Sequence, residues 1–329
     1  MPTGPPTTNR TAAHPRSTIS CRRARAGVLG PILFRLVLLV SCLNLSLLGC
    51  ALPKRSDPPQ LIYTPEEFRS ALLERVPDLR DSLAEAPFIV GPEDIAKADA
   101  RMREAPRGPD RVRALVQSLS AAQPEGFGLQ YHWLASASAQ QTLESGAGNC
   151  VALASVLVGL GRGLGWPIYY AIARARLPET REYQEVTFVS DHMVVIVAAK
   201  SFQMIIDFTG QVGELYDVVP IDDLTAYAHL INNIAGQHIA QIEGKATEED
   251  WRIALQGFEL ASQIQPDLAR AWNNRGIALT RLARYEEAQI AYERALSLDT
   301  LFGSTSHNLE IMRTRAHGQT IVAEEPVSR

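Results

Sequence analysis

Cys150 is the residue whose surroundings best suit chemistry. It follows the run SGAGN at 145–149 and opens an apolar stretch to Leu164, with Leu153, Leu157, Leu160 and Leu164 at helical spacing. The glycines leave backbone and sulfur free to approach a substrate carbonyl. A thiol at a helix start meets unpaired amides and the positive end of the helix dipole, which lower its pKa, and the Cys150 amide is a natural oxyanion donor. His192 lies within the apolar run 186–198, where a titratable ring needs a hydrogen-bond partner. Asp207 ends the next such run, 202–207. An even turn centred on Ala199-Lys200 pairs His192 directly with Asp207 on one side of a sheet, with Cβ atoms about 5 Å apart. Nucleophile, base and orienting carboxylate in this order point to acyl transfer. The plainer reading is a buried structural thiol, a satisfied core histidine and a strand-end aspartate.

The elements that must position these residues can be read around them. Residues 168–175, 186–198 and 202–207 are β-branched and aromatic runs of strand length, the last two apolar on both faces and so expected to be buried. Gly165 with Trp166-Pro167 stops the preceding helix. A helix followed by an antiparallel sheet is an α+β arrangement. Upstream, Thr64-Pro65-Glu66-Glu67 starts a helix to about residue 76, Pro92 one to about 104, and Pro109 a third carrying Val112, Leu115, Val116 and Leu119. A loop from Pro124 and a short helix over 137–143 lead to the glycine-rich run. GLGRGLG at 159–165 follows a helix and lacks the Lys-Ser/Thr ending of a phosphate loop, and no CxxC or HExxH occurs. No cofactor and no metal are expected.

The last hundred residues repeat. Ala254, Phe258, Ala261, Ile264 and Pro266 recur thirty-four positions later as Ala288, Tyr292, Ala295, Leu298 and Thr300, the period of the tetratricopeptide repeat. Trp272, Gly276 and Tyr285 fit the second copy, with Arg275 where leucine is usual and Thr300 for the final proline. The first copy has a less regular first helix around 232–244, and 306–315 is the expected cap. Trp272, Asn273, Arg275 and Tyr285 are the expected partner-binding residues.

The composition, 329 residues with 46% hydrophobic and 21% charged, excludes a disordered, collagenous or multi-span membrane chain. Three of four cysteines, Cys21, Cys42 and Cys50, lie in the first fifty residues, so the body has no disulfide framework. Residues 1–35 carry six arginines and no acid, followed by the apolar run 36–48 and Gly49-Cys50. A predominantly apolar run of thirteen residues makes a secretory signal and falls short of the roughly twenty that span a bilayer. LLGC at 47–50 resembles the bacterial lipobox, which implies lipidation of Cys50 and a mature chain tethered by a proline-rich segment at 51–60. Ala51 in place of aspartate implies, by the same resemblance, the periplasmic face of an outer membrane. Loss of residues 1–49 removes six basic and no acidic residues and carries the formal net charge from −4 to −10, which disfavours nucleic acid as a partner.

SGAGNC, a helix, SDHMVVIV and MIIDFTG, in that order, resemble the transglutaminase-like superfamily of papain-related cysteine enzymes. With the repeats, the chain is similar to bacterial lipoproteins that join the two modules. The resemblance implies Cys150 as nucleophile, His192 as base and then acid, Asp207 as orienter, and a second oxyanion donor upstream, for which Gln130, His132, Trp133 and Gln141 are candidates. The expected organisation is a signal at 1–49, a tether at 50–60, a helical region at 61–120, a transglutaminase-like domain at 121–230 and repeats with a capping helix at 231–329. The expected function is an envelope-anchored cysteine peptidase, amidase or transglutaminase acting on peptide or protein amides, with repeats for a protein partner. The alternative is a catalytically idle lipoprotein scaffold that binds its partner through the repeats.

Overall fold

The computed structural model describes residues 18–22, 60–175, 180–183, 186–189, 191–210, 212–213, 216–299 and 303–324. The lipobox, Cys50 and residues 51–59 lie outside them. A short strand, β1 (Thr18–Arg22), pairs antiparallel with a strand far along the chain, so part of the stretch assigned to the signal lies along a sheet edge. An edge strand presents unpaired N–H and C=O groups that any extended segment can satisfy.

Helix α1 (Pro65–Arg75) begins where the sequence predicts, with Thr64 and Glu67 capping each other. It buries Phe68 and Leu72, and Phe68 meets the rings of Phe88 and Tyr227 edge-on. Helices α2 (Pro92–Met102) and α3 (Pro109–Ser120) also start at their prolines. Strand β2 (Gln130–Tyr131) runs parallel to β3 (Ala147–Gly148), with α4 (Ala139–Ser145) between them. Helix α5 (Cys150–Gly163) follows and is buried from Val151 to Gly161. Its glycines serve packing: a Cβ on Gly159 would stand 2.2 Å from the Phe88 carbonyl oxygen.

The sheet is formed by β4 (Ile168–Ala175), β7 (Asp191–Ala199), β8 (Phe202–Asp207) and β9 (Tyr216–Pro220) together with β1, in the order β1-β8-β7-β4-β9, with all pairs antiparallel. A hairpin of β5 (Thr180–Tyr183) and β6 (Val186–Val189) stands outside it. The run 186–198, expected as one strand, is therefore two strands in different sheets, which change over where polar Asp191-His192 interrupt the apolar pattern. Tyr170, Ile172, Met193, Val195, Val197, Met204 and Ile206 join α1–α3 and α5 in the main core. Ala171, Ala173, Val194 and Ile196 form a smaller cluster on the other face.

The remaining chain is helical: α6 (Asp223–Ala240), α7 (Glu248–Ile264), α8 (Ala269–Arg281), α9 (Tyr285–Leu298) and α10 (Gly303–Glu324). The positions related by thirty-four residues, Ala254, Phe258 and Ala261 with Ala288, Tyr292 and Ala295, are all buried. Gly276 lets the Tyr292 ring lie where a Cβ would come within 2.6 Å of it. The boundary at residue 230 falls inside α6, whose Leu224, Ala226, Tyr227, Ala228, Leu230 and Ile231 belong to the main core. Ala261, Ile264 and Ala271 of α7 and α8 join that core too, so the first repeat helices and the sheet share one apolar interior.

Candidate functional site

The thiol is positioned by the cap of its own helix. Asn149 accepts the Ala152 N–H at 3.1 Å and its Nδ2 donates to Ser136 Oγ at 2.7 Å, while its backbone N–H donates to the Ala135 carbonyl at 2.7 Å. Cys150 thus takes the first position of α5, where the amide has no acceptor within the helix. Cys150 is half-buried. The expected lowering of its pKa is corrected: burial pushes the thiol above its ordinary range, outweighing backbone N–H groups of Met193 and Val151 that favour the thiolate and the charge of Arg270, while Asp207 adds to the rise. The helix start does favour the thiolate, but loss of hydration acts more strongly here.

The sulfur lies against the Met193 amide, one residue beyond His192 on β7. His192 is 8% exposed, and its ring centre lies 6.0 Å from that of Tyr216 on β9. Asp207, 3% exposed, is held by its own turn. Oδ1 accepts the Thr209 N–H at 2.9 Å and the Thr209 hydroxyl at 2.7 Å, and Oδ2 accepts the Val212 N–H at 2.9 Å.

The pairing of the two strands corrects the expected register. Ala199 pairs with Phe202 and Val195 with Ile206, so the turn is Lys200-Ser201, one residue beyond the expected centre. Continuing the ladder sets Asp207 across from Val194, and His192 lies diagonally from it. The turn is still even, so side-chain parity keeps His192 and Asp207 on one face.

The remaining site candidates separate. Gln141 Oε1 accepts the Ser138 N–H at 3.2 Å and hydroxyl at 3.1 Å, which ties its side chain to the start of α4. Gln130 is exposed on β2, opposite Ala147 and so beside the run that leads to Cys150. His132 is exposed and Trp133 is 50% exposed in the loop after β2. In the repeat region, Trp272 Nε1 donates to the Pro266 carbonyl at 2.9 Å. Arg275 lies over the Trp272 ring and pairs with Glu259 at 3.3 Å. Tyr285 packs half-buried on the repeat core. Asn273 is 0% exposed, which corrects its reading as a partner contact. It belongs to a buried ladder in which Asn308 donates to Asn273 at 3.1 Å, Asn273 to Asn274 at 3.2 Å and Asn274 to Asn232 at 3.0 Å.

Sequence reasoning missed Thr209, although Asp-Phe-Thr is a recognisable aspartate turn. It also missed Arg270 and Gln237, whose relation to Cys150 has no local signal. Among the described residues no three His, Cys, Asp or Glu side chains converge as metal ligands, and no helix is long and apolar enough to cross a membrane.

Comparison with known proteins places a tetratricopeptide repeat at residues 269–299, which spans α8 and α9. No curated protein matches the chain. Repeats of this type generally mediate protein–protein interaction, so the C-terminal helices point to a protein partner.

Proposed function

We propose that the chain is an exported, lipid-anchored thiol enzyme of the transglutaminase-like kind, acting on amide bonds of a polypeptide brought to it with the help of the repeat. The observation that carries this reading is the sulfur of Cys150 against the amide next to His192, with Asp207 on the histidine's face of the sheet. Because the resting thiol is protonated, attack requires a base. Cys150 Sγ bonds to the substrate carbonyl carbon while its proton passes to the His192 ring. The oxyanion takes the Cys150 N–H, with Gln130 the upstream side chain that could join it. His192 then gives the proton to the departing amine, leaving a thioester; water or a second amine attacks that thioester as His192 takes its proton, the C–S bond breaks, and the proton returns from His192 to the Cys150 sulfur. Asp207, fixed by Thr209 and Val212, orients the ring. LLGC at 47–50 and the arginine-rich leader support lipidation at Cys50 and an address on the periplasmic face of the outer membrane.

The test is alkylation of Cys150 by iodoacetamide in the folded full-length chain, read by peptide mass. His192→Ala is expected to slow it about tenfold or more at neutral pH. Equal rates in the two proteins would remove His192 as the base. A second reading, a scaffold that acts only by binding, is favoured by the repeat match; it requires that Cys150→Ser leave the cellular phenotype intact.

A further inference from the structure

The loop before Cys150 is held by a helix more than eighty residues downstream. Gln237 of α6 accepts the Ser136 N–H through Oε1 at 2.7 Å, and Gln241, one turn later, donates to the Leu134 carbonyl at 3.4 Å. Ser136 Oγ accepts from Asn149 Nδ2, and the Ala135 carbonyl accepts the Asn149 N–H, each at 2.7 Å. A continuous chain of hydrogen bonds therefore runs from α6 to the residue that caps α5. The first turn of α8 comes to the same place. Ala271 is fully buried in the core against which Cys150 packs, and Arg270, half-buried beside it, is close enough for its charge to act on the sulfur. Asp207 of β8 also acts on the sulfur and opposes the arginine, and His192 of β7 precedes the Met193 amide that meets it.

We propose that the C-terminal helices are part of the thiol site: Gln237 sets the position of Cys150 through the 134–136 loop, and Arg270, at the start of α8, is the cation of that site. Both are positioning residues, and the inference rests on reading Cys150 as the nucleophile. The partner-binding repeat and the reactive thiol are then one device, since anything that shifts the start of α8 moves a charge at the sulfur.

The experiment measures the rate of iodoacetamide alkylation at Cys150 against pH in the full chain, with folding checked by circular dichroism melting. Arg270→Gln should move the profile to higher pH and lower the neutral-pH rate about threefold or more. Arg270→Lys should keep the wild-type profile. Gln237→Ala should change the rate at every pH without moving the profile, and Gln237→Glu, which retains the acceptor oxygen, should restore it. Superimposable profiles for Arg270→Gln and wild type, or an Arg270→Lys variant as displaced as Arg270→Gln, would overturn the role of the charge. A Gln237→Glu variant no better than Gln237→Ala would overturn the role of the loop. If His192→Ala leaves alkylation unchanged while Arg270→Gln shifts it, the acid–base reading falls and this one stands.

Discussion

Cys150 rests as a neutral thiol, and this has a consequence for stability as well as reactivity. Burial makes the folded state hold the thiol proton to higher pH than the unfolded chain does. Below the ordinary thiol pKa both states are protonated, and the contribution is fully present. As pH rises through the ordinary value toward the raised one, the unfolded chain gains by ionising first and stability is lost. Denaturant midpoints of wild type and Cys150→Ser should therefore run parallel at neutral pH and diverge above about pH 9, with the wild type falling faster. Parallel curves throughout would contradict a raised thiol pKa. At this scale the site was partly legible from residue types. Parity survived a turn placed one residue too early, because any even turn leaves the same residues on the same face. Gln141 belongs to the capping box of α4 with Ser138, a local role that a Ser-x-x-Gln spacing already signals. The thiol's pKa was misjudged because a helix start is visible in sequence and desolvation is not.

Between elements, the strongest polar link joins α5 to α6. Arg162 makes a two-pronged ion pair with Asp223, both bonds 2.8 Å, and its guanidinium stacks 4.4 Å above the Phe88 ring. Asp223 is fully buried and also accepts the Tyr63 N–H at 2.9 Å. Arg162→Met should cost about 3–5 kcal/mol because it strands a buried carboxylate, whereas Arg162→Met with Asp223→Leu should cost much less. Urea unfolding of the two single variants and the double variant measures this; additive losses would show that the pair acts independently of its partner. The strands 168–175 and 202–207 were legible because apolar runs with turn residues at both ends have few alternatives. β9 was not, since Tyr216–Pro220 is short, carries Asp217, ends in a proline and pairs with β4. The division of 186–198 into two strands was missed because the valines on both sides outweighed the polar Asp191-His192 between them.

For the molecule as a whole, the thirty-four-residue period announced the repeat but not its attachment. The core that contains Val151, Tyr170 and Met193 also contains Ala261, Ile264 and Ala271, so repeat and sheet should unfold in one step. The four tryptophans report on both regions, Trp133 and Trp166 on one and Trp251 and Trp272 on the other. Asn273→Leu should destabilise by about 1–3 kcal/mol for each amide group left without its partner, and tryptophan fluorescence and circular dichroism should still give coincident transitions; separated transitions would mean that the repeat is an autonomous unit. The asparagine ladder has one more property. Its amides run head to tail, Nδ2 to Oδ1, from Asn308 on α10 through Asn273 and Asn274 on α8 to Asn232 on α6. Turning over one amide in the middle would set donor against donor on one side and acceptor against acceptor on the other. The row therefore has only two fully bonded arrangements, one the reverse of the other, and polarity at the C-terminal helix fixes polarity at the helix that holds the thiol loop.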